Sequence, residues 1–567
     1  MTGSASGTTR GAAQLWLQAA LAATARQGRT EWFGSPPHLA RLAAGPRAQG
    51  FAIFPRDSRP ARPERGRRLL AGVFTFRGES LSAAEGADPW NRPSPSRAFA
   101  EALHGFSWIR DLCALGPEGA REALRLTLEW RRVFGRWSSF AWTGQVLDRR
   151  VVNLAVALGP IVAVASEAEV EMLAELMARQ ARQLLLAREP ASRTAEAAAA
   201  AALAGSAIAG RAGEALAGKA LARLERLIPR TVLPDGGHVC RSPEAGLELL
   251  LDLMSLEDGL DQRGLQTPQA VAAALDRLKA ALRFFTLPDG RLACFQGGEE
   301  ADPALVAAAR AADEDGQAAP AAEAPYAGYQ RLAGRTIQVM MDVGRPAPDP
   351  YSVTACAQPA AIEVVCGTDR LITNSGWSPR ASRSQALRLT DGGSTVALGR
   401  ESAGAPLGGW MARTLGPRLA GGARHAEARR AATDAGVWVD FSHDGWAALG
   451  LRHDRRLYLD LNADELRGED QFTPTAPATV SRVIPYAVHF HLPPEVEAVL
   501  ARDNRSVLLR GPSAKGWWLR NDAVDVRVEP DVHFRGGQQL SSRQVVLLGH
   551  LRADRGGRVR WKLTAVE

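Results

Sequence analysis

The chain has 567 residues, of which 46% are hydrophobic and 23% are charged. This composition is typical of a folded protein with roughly two to four domains, and it excludes disorder as the main state. No apolar run reaches the roughly 18 residues that a membrane-spanning helix needs, so the sequence predicts no transmembrane segment.

The positive charge of the chain is carried almost entirely by arginine. Lys and Arg outnumber Asp and Glu by 69 to 61, which gives a formal net charge of +8, and only four of the 69 are lysines. Between Arg56 and Arg68, six arginines lie in a Pro-rich stretch, which indicates a solvated loop or a contact with a polyanion. Because a guanidinium group binds a carboxylate through two hydrogen bonds, a uronic-acid polymer suits this chain at least as well as DNA. Acidic residues are interspersed nearly everywhere else, so we expect no nucleic-acid partner.

The five cysteines are odd in number and widely spaced, and no two of them form a CxxC pair. This pattern favours buried free thiols over a zinc ribbon or a redox motif. Glycine-rich nucleotide-binding loops and HExxH motifs are also missing from the sequence. We therefore expect neither a metal site nor a cofactor.

Residues 1–92 form an N-terminal segment that leads into the first domain. The apolar stretch from Leu15 to Ala25 ends like a signal-peptide cleavage site. Gln14 and Gln18 interrupt it, however, and its spacing also fits an amphipathic helix. The segment carries no convincing signal peptide, so a cytoplasmic and a periplasmic or cell-envelope location both stay open.

Residues 93–312 are predicted to form a helical domain. Apolar residues recur there at spacings of three and four, as in Phe99, Leu103, Phe106 and Ile109. Pro, Gly and Asp separate these runs, which indicates consecutive antiparallel helical hairpins.

An acidic, Ala-rich linker is predicted at residues 313–326, and short strands follow over residues 327–567. Turn residues between apolar runs predict β-hairpins over residues 361–373 and 386–398. Many short strands separated by such turns are typical of an antiparallel β-sandwich.

Seven short motifs stand out by their sequences and by their order along the chain. They are Trp90, Ala98–Leu112, Asp235–Pro243, Leu371–Gly376, Arg452–Leu457, Leu466–Asp470 and His489–Leu492. Together they resemble the heparinase II/III-like family of polysaccharide lyases. The resemblance spans nearly the whole chain from about Phe51. It implies an N-terminal (α/α) toroid followed by a C-terminal antiparallel β-sandwich, and cleavage of uronic-acid polysaccharides by β-elimination.

The chain departs from the family pattern at the positions that carry acid-base chemistry. The resemblance implies a tyrosine on the toroid and histidines at the domain junction. None of the five tyrosines lies in the helical half. Cys356 precedes Ala357 where the family has a histidine, and Gly393 stands where a second histidine would precede Ser394.

Two histidines of the helical half, His104 and His238, are the candidate catalytic residues. His104 lies one helical turn from Trp108 and close to Arg110, so these residues could stack on a sugar and bind its carboxylate. The alternative for His104 is a packed histidine with its hydrogen bonds satisfied. His238 follows a glycine turn, and Arg241 is near enough to hold a substrate carboxylate. The alternative for His238 is an ordinary loop histidine.

Arg149 and Asn153 complete the candidate substrate-binding residues, since both lie near the start of a predicted helix. Arg149 could pair with an acidic sugar, although most arginines in so Arg-rich a chain are expected to be only solvated. His489 and His491 alternate on a strand and therefore share a face. That geometry can bind zinc, but no third ligand is evident, and a structural role is favoured.

The sequence therefore predicts a heparinase II/III-like protein that acts as a lyase on an acidic polysaccharide. The first alternative is a non-catalytic carbohydrate-binding relative that has lost the tyrosine and histidine pair. The second is a nucleic-acid-associated protein, which only the basic charge and the Arg56–Arg68 stretch suggest. The sequence leaves open whether the protein is an enzyme, which sugar it binds and its oligomeric state.

Overall fold

A computed structural model describes residues 5–83, 86–187, 191–313, 315–316, 318–381, 384–475 and 482–566. The chain divides into two compact units, each of which is assembled from several segments. Unit 1 comprises Met1–Thr231, Glu248–Asp276 and Gly408–Pro417, and unit 2 comprises Val232–Leu247, Arg277–Leu407 and Arg418–Glu567. The predicted domain limits at residues 92, 312 and 326 stay a prediction, and the predicted linker includes residues 314 and 317, which lie outside the described residues.

The α-helices of the described residues are α1 (Ala5–Gly34), α2 (Pro36–Ala43), α3 (Pro63–Leu70), α4 (Arg97–His104), α5 (Ile109–Cys113), α6 (Pro117–Phe134), α7 (Gly144–Val156), α8 (Leu158–Val162), α9 (Glu167–Leu186), α10 (Thr194–Ala207), α11 (Gly210–Thr231), α12 (Pro243–Gln262), α13 (Gln269–Phe285), α14 (Pro303–Ala311) and α15 (Gly409–Leu415). Helices dominate the chain up to residue 311, as the apolar spacing predicts. Within the described ranges, no helix has both the length and the apolar content that crossing a bilayer requires.

Helix α10 is the most deeply buried helix element of unit 1, and its composition explains why. Every residue from Ala198 to Ala207 is buried, and all of them are small except Leu203. A helix that is apolar on all sides must be surrounded by other elements, and here α7, α9 and α11 pack against it. At Gly205 a β-carbon would lie only 2.4 Å from the Ala217 nitrogen, so glycine permits the close approach of α11.

The strands are β1 (Val73–Phe76), β2 (Glu79–Ser82), β3 (Glu323–Ala324), β4 (Tyr329–Ala333), β5 (Ile337–Asp342), β6 (Ile362–Cys366), β7 (Asp369–Ile372), β8 (Val396–Leu398), β9 (Gly404–Pro406), β10 (Leu419–Gly421), β11 (Ala426–Ala432), β12 (Gly436–His443), β13 (Leu451–Asp460), β14 (Glu465–Pro474), β15 (Val483–Leu492), β16 (Glu497–Leu500), β17 (Val507–Arg510), β18 (Gly516–Asn521), β19 (Asp525–Arg535), β20 (Gln538–Arg552) and β21 (Gly557–Ala565). All but the β1–β2 hairpin follow residue 322, which agrees with the predicted change from helices to strands.

Unit 2 is built from antiparallel sheets around one hydrophobic core. An eight-stranded sheet has the order β11-β12-β13-β14-β21-β18-β17-β16, a four-stranded sheet has the order β19-β20-β15-β8, and a five-stranded sheet has the order β3-β4-β5-β6-β7. The alternation of buried and exposed residues along β13 is typical of a strand with one face on the core. Val339, Leu457, Phe490 and Leu547 come from the three sheets and belong to this core.

Of the two predicted hairpins, the first is confirmed and the second is wrong. Strands β6 and β7 pair antiparallel around Gly367. Residues 386–392, in contrast, form two short 3-10 turns instead of a strand. The amide of Gln358 donates to the carbonyl oxygens of Leu387 and Leu389, and the buried Arg388 donates to Ala355. These side-chain bonds hold the backbone in turns, and a local sequence pattern does not reveal such bonds.

Candidate functional site

Arg241, a predicted substrate-binding residue, is buried within unit 2. Its backbone has a φ of +67°, in the left-handed region, and its N–H donates to the His238 carbonyl oxygen over 2.7 Å. The guanidinium group donates to the Asp342 carboxylate over 2.5 Å and to three carbonyl oxygens, those of Ala327, Gly328 and Arg345. Burial would lower the pKa of Arg241, but the Asp342 carboxylate outweighs it and the pKa is raised.

Asp342 connects Arg241 to further buried groups of unit 2. Its second oxygen accepts from the Gln296 amide over 2.7 Å, and Gln296 in turn accepts the Cys356 N–H over 3.0 Å. Tyr329 donates its hydroxyl to the Arg241 carbonyl oxygen over 2.7 Å, and the guanidinium lies 5.0 Å from the centre of its ring. We call these five residues the Arg241 cluster.

The Arg241 cluster offers few free groups for catalysis. Arg241 directs its donors to protein acceptors, so binding a sugar carboxylate would require breaking bonds such as the one to Asp342. Burial raises the pKa of the Tyr329 hydroxyl well above its usual value, although Arg241 opposes the shift. The phenol therefore stays protonated at neutral pH. A substrate-binding role for Arg241 stays a prediction, and this geometry weighs against it.

His238, the first predicted catalytic residue, lies on the same turn of unit 2 and is also buried. Its Nδ1 accepts the Cys240 N–H over 3.2 Å and lies 2.9 Å from the Cys240 Sγ. In a neutral ring whose Nδ1 accepts a hydrogen bond, the proton resides on Nε2, so neither nitrogen offers a free lone pair. His238 borders a small cavity lined mainly by apolar side chains, among them Leu278, Leu282 and Phe285. Its catalytic role stays a prediction.

The two positions at which the family resemblance implies histidines are filled by other groups of unit 2. Cys356 is 5% exposed, and burial raises the pKa of its thiol to about 11, against the opposing effect of Arg388. The thiol therefore stays protonated at neutral pH. At Gly393, a β-carbon would stand 2.8 Å from the Gln358 side chain. A histidine there would displace Gln358 and break the hydrogen bonds that hold residues 386–392.

Other histidines of unit 2 are held by neighbours on both ring nitrogens. His491 lies 2.6 Å from Asp531 and 2.9 Å from the Asp391 carbonyl oxygen. His533 lies 2.9 Å from Glu300 and 3.2 Å from the Asn374 carbonyl oxygen. His453 is bound by the His443 ring and by Asp470, which also pairs with the buried Arg455. These contacts fix the orientation of the three rings, and a carboxylate on one nitrogen is an arrangement that structural and catalytic histidines share.

His489 and His491 stack with ring centroids 6.1 Å apart, so they share a face as the alternation predicts. His489 is hydrogen-bonded to Gln544, and His491 to the partners given above. Within the described part of the chain, no group of three or more His, Cys, Asp or Glu side chains could hold a metal ion.

In unit 1, His104 is enclosed by aromatic side chains. Its Nδ1 accepts the Trp130 indole N–H over 3.1 Å, and the ring is 7% exposed. Burial, together with the nearby Arg150, lowers the pKa of His104 to about 3, so the ring is neutral at physiological pH. The rings of Trp90, Trp130, Phe134 and Phe140 meet it at steep angles. Trp108 is fully buried, with its N–H donated to the Leu103 carbonyl oxygen, and offers no ring face for a sugar.

Arg110, Arg149 and Asn153 are brought into one charged network of unit 1. Arg110 donates to Asn153 over 2.9 Å and pairs with Asp57 over 2.7 Å. Arg149 pairs with Asp252 and Asp148. Arg59 connects the Arg110 and Arg149 ion pairs, because it pairs with both Asp57 and Asp252. Burial would raise the pKa of Asp57, but Arg59 and Arg110 outweigh it and hold the pKa below its usual value.

This network changes what the predicted binding residues can do. Each arginine already faces a carboxylate, so an acidic sugar would have to compete with Asp57, Asp148 and Asp252. Asp57 and Asp252 lie far along the chain from Arg110 and Arg149, so sequence spacing does not reveal these pairs, whereas Asp148 directly precedes Arg149. The sequence analysis also missed Asp342, although a carboxylate at the end of the apolar strand β5 was a usable signal. Substrate binding by Arg110, Arg149, Asn153 and Trp108 stays a prediction.

Comparison with known proteins places this geometry in a family. The family model for the C-terminal domain of heparinase II/III-like proteins matches residues 316–562. Two solved structures share the fold. The superposition with heparinase III covers 93% of this chain and 88% of heparinase III, with a TM-score of 0.69 and 13% sequence identity. The superposition with the heparan sulfate lyase HepC of Pedobacter heparinus covers 91% of this chain and 86% of HepC, with a TM-score of 0.57 and 13% sequence identity.

The fold is therefore that of the heparinase-type polysaccharide lyases, an (α/α) toroid followed by an antiparallel β-sandwich, as the sequence predicts. FtsZ-localized protein C of Caulobacter vibrioides (strain NA1000 / CB15N) is 50% identical over 558 residues, which cover 98% of this chain and 96% of that protein. The chain belongs to the heparinase II/III-like family, within which it is much more similar to this relative than to the two lyases.

The first prediction concerns Arg241. Replacing Arg241 with Ala leaves the buried Asp342 without its cation, so we expect the free energy of unfolding to fall by about 3–5 kcal/mol. Arg241→Lys should recover little of it, because one ammonium group cannot reproduce the planar set of donors. Chemical denaturation measures the loss. Arg345→Ala is the matched control, since only the backbone oxygen of that exposed residue takes part. Equal stability of Arg241→Ala and Arg345→Ala would contradict the account.

The second prediction concerns the pH dependence that His104 confers. Its pKa is about 3 in the folded protein and about 6.5 when unfolded, so its stabilisation is present above pH 6.5 and is lost as the pH falls toward 3. His104→Gln keeps an acceptor for Trp130 but does not titrate. Between pH 6.5 and 5 the wild type should lose about 2 kcal/mol more than this variant.

Denaturation curves at several pH values would measure that difference for His104→Gln. The exposed His425 provides the control, because His425→Gln should follow the wild type throughout the range. If the wild type and His104→Gln lose stability in parallel, His104 is not buried as a neutral ring.

Proposed function

We propose that this chain is a heparinase-fold protein that associates with FtsZ and does not cleave polysaccharides. The observation that carries the proposal is the 50% identity to FtsZ-localized protein C across 98% of the chain. Heparinase III has the same fold at 13% identity, so preserving the fold requires far less identity than this. Identity so far above what the fold requires is expected where two chains share a role as well as a fold.

The chemistry of β-elimination gives separate support to the non-catalytic part of the proposal. The reaction needs a group that neutralises the uronate carboxylate, a base for the C5 proton and an acid for the leaving oxygen. In unit 2 the Tyr329 hydroxyl and the Cys356 thiol have raised pKa values, and the Nδ1 of His238 accepts a backbone N–H. The Tyr329 hydroxyl and the Cys356 thiol are therefore protonated near neutral pH, and the Nδ1 lone pair of His238 is engaged by a backbone donor.

Lyase action on an acidic polysaccharide is the second candidate function. The fold favours it, since heparinase III and the heparan sulfate lyase HepC share that fold. At 13% identity, however, the likeness extends only to the fold, and chemistry depends on individual residues. Binding of an acidic polysaccharide without cleavage is compatible with the same departures at Cys356 and Gly393.

The third prediction tests the association with FtsZ. Purified chain should bind FtsZ from the same cells when FtsZ is immobilised on a biosensor surface, because the relative with which it shares half its residues is FtsZ-localized. The equilibrium response would be measured over a series of protein concentrations. A saturable response is the expected result.

Heparinase III is the fold-matched control for this measurement, since it has the same fold without the additional identity. It should give no saturable response. If the two proteins respond alike, or if neither binds, the proposed association with FtsZ is wrong.

A further inference from the structure

The outer face of the eight-stranded sheet in unit 2 carries a groove that the functions considered so far do not use. The inner residues of β12, β13, β14, β18 and β21 belong to the hydrophobic core, so their alternate residues point outward. Those outward residues surround an open groove of about 590 Å³. We call it the sheet-face groove.

One row of side chains crosses the sheet-face groove from strand to strand. Trp438 of β12 is paired with Tyr458 of β13, and Tyr458 with Arg467 of β14. Arg467 is paired with Lys562 of β21, and Lys562 with Arg520 of β18. Residues directly opposite each other on neighbouring strands share a face and lie about 5 Å apart. The row therefore places two aromatic rings beside three successive cations.

Three adjacent cations are an unfavourable arrangement for the protein alone, because like charges opposite each other destabilise a sheet. Glu465 offsets part of this cost, since it lies 2.5 Å from Arg467 and 3.2 Å from Lys562. Arg520 stacks on Trp518 at 5.7 Å and forms no ion pair within the described residues. Positive charge therefore remains unbalanced at the Arg520 end of the row.

The other cations that line the groove have carboxylate partners. Arg560 is matched by Glu469 over 2.8 Å, and Arg456 by Asp440. Arg467 also lies 3.8 Å from Asp460, so Arg520 is the lining cation without an ion pair among the described residues. A ligand carboxylate can therefore pair with Arg520, while Glu469 and Asp522 line the groove as hydrogen-bond acceptors.

The aromatic end of the row indicates what kind of anion fits. The rings of Trp438 and Tyr458 are stacked 4.0 Å apart, with 24° between their planes. Arg456 lies over the Trp438 ring at 5.8 Å, and Arg467 lies over the Tyr458 ring at 5.7 Å. Guanidinium groups thus occupy the outer sides of the stacked pair, where a sugar ring would need an open aromatic face. The ring edges remain available, with Trp438 38% exposed.

We propose that the sheet-face groove binds an extended acidic peptide segment of a partner protein. Alternate side chains of an extended peptide lie on one side, about 7 Å apart, so its carboxylates can reach neighbouring cations of the row. Its backbone N–H groups can donate to Glu469 and Asp522. An apolar residue of the peptide contacts the Trp438 edge. This inference does not depend on the association with FtsZ.

The fourth prediction tests the groove with a fluorescent peptide of alternating Glu and Ser residues that ends in Phe. Fluorescence anisotropy should show saturable binding to the full chain, and a peptide with Lys in place of Glu should not bind. The double variant Arg520→Gln/Lys562→Gln should bind the acidic peptide with an affinity at least about tenfold lower, because two charge-assisted contacts are lost. Both side chains point outward, so the variant should keep the wild-type circular dichroism spectrum.

A matched control keeps this test specific to the groove. Arg527→Gln/Arg552→Gln removes the same charge from arginines outside the groove, each of which has its own aspartate partner, and should bind as the wild type does. Equal losses in the two double variants would overturn the proposal in favour of a general charge effect. Absence of binding, or displacement of the peptide by a short polyuronate that binds more tightly, would overturn it as well.

Discussion

Burying a guanidinium group is tolerable only when acceptors take up its donors, and this constraint organises both units of the chain. Arg241 meets it through Asp342 and three carbonyl oxygens, and Gln296, Tyr329 and Cys356 are arranged around that pair. In unit 1 the fully buried Arg150 donates to Gln180 and to carbonyl oxygens of other segments. Part of the arginine content of the chain therefore serves as internal hydrogen-bonding framework, since removing either partner leaves an uncompensated charge.

This framework bears directly on function, because a guanidinium group whose donors are taken up by the protein can bind a substrate carboxylate only by breaking those bonds. Burial keeps the Cys356 thiol protonated, and Asp531 and the Asp391 carbonyl oxygen fix the orientation of the His491 ring. Heparinase III keeps the same fold with 13% identity, so the architecture tolerates replacement of nearly every residue. A chain of this family can therefore retain the fold while its surface, including the sheet-face groove, takes on binding.

Sequence periodicity predicted the elements whose patterns are local, such as the helical hairpins and the β6–β7 turn. It failed at residues 386–392, where Gln358 and Arg388 hold the backbone in turns. It was also wrong in part at Arg56–Arg68, where the predicted loop contains the start of α3, whereas α1 includes the stretch for which an amphipathic helix was one alternative. The site was harder to predict. Asp342 lies 101 residues from Arg241, and spacing alone does not show that His104 and Trp108 point into an aromatic core. The residue types were visible in the sequence, but their partners and their burial were not.

The central claim is that this chain keeps the lyase fold without lyase chemistry, and cleavage itself is the most direct measurement. β-Elimination leaves a 4,5-unsaturated uronate, whose far-ultraviolet absorbance would be followed with purified protein over a panel of acidic polysaccharides. HepC of Pedobacter heparinus on heparan sulfate is the positive control. The account predicts no increase on any polysaccharide. An increase that the wild type produces and that His238→Ala or Cys356→Ala abolishes would contradict it.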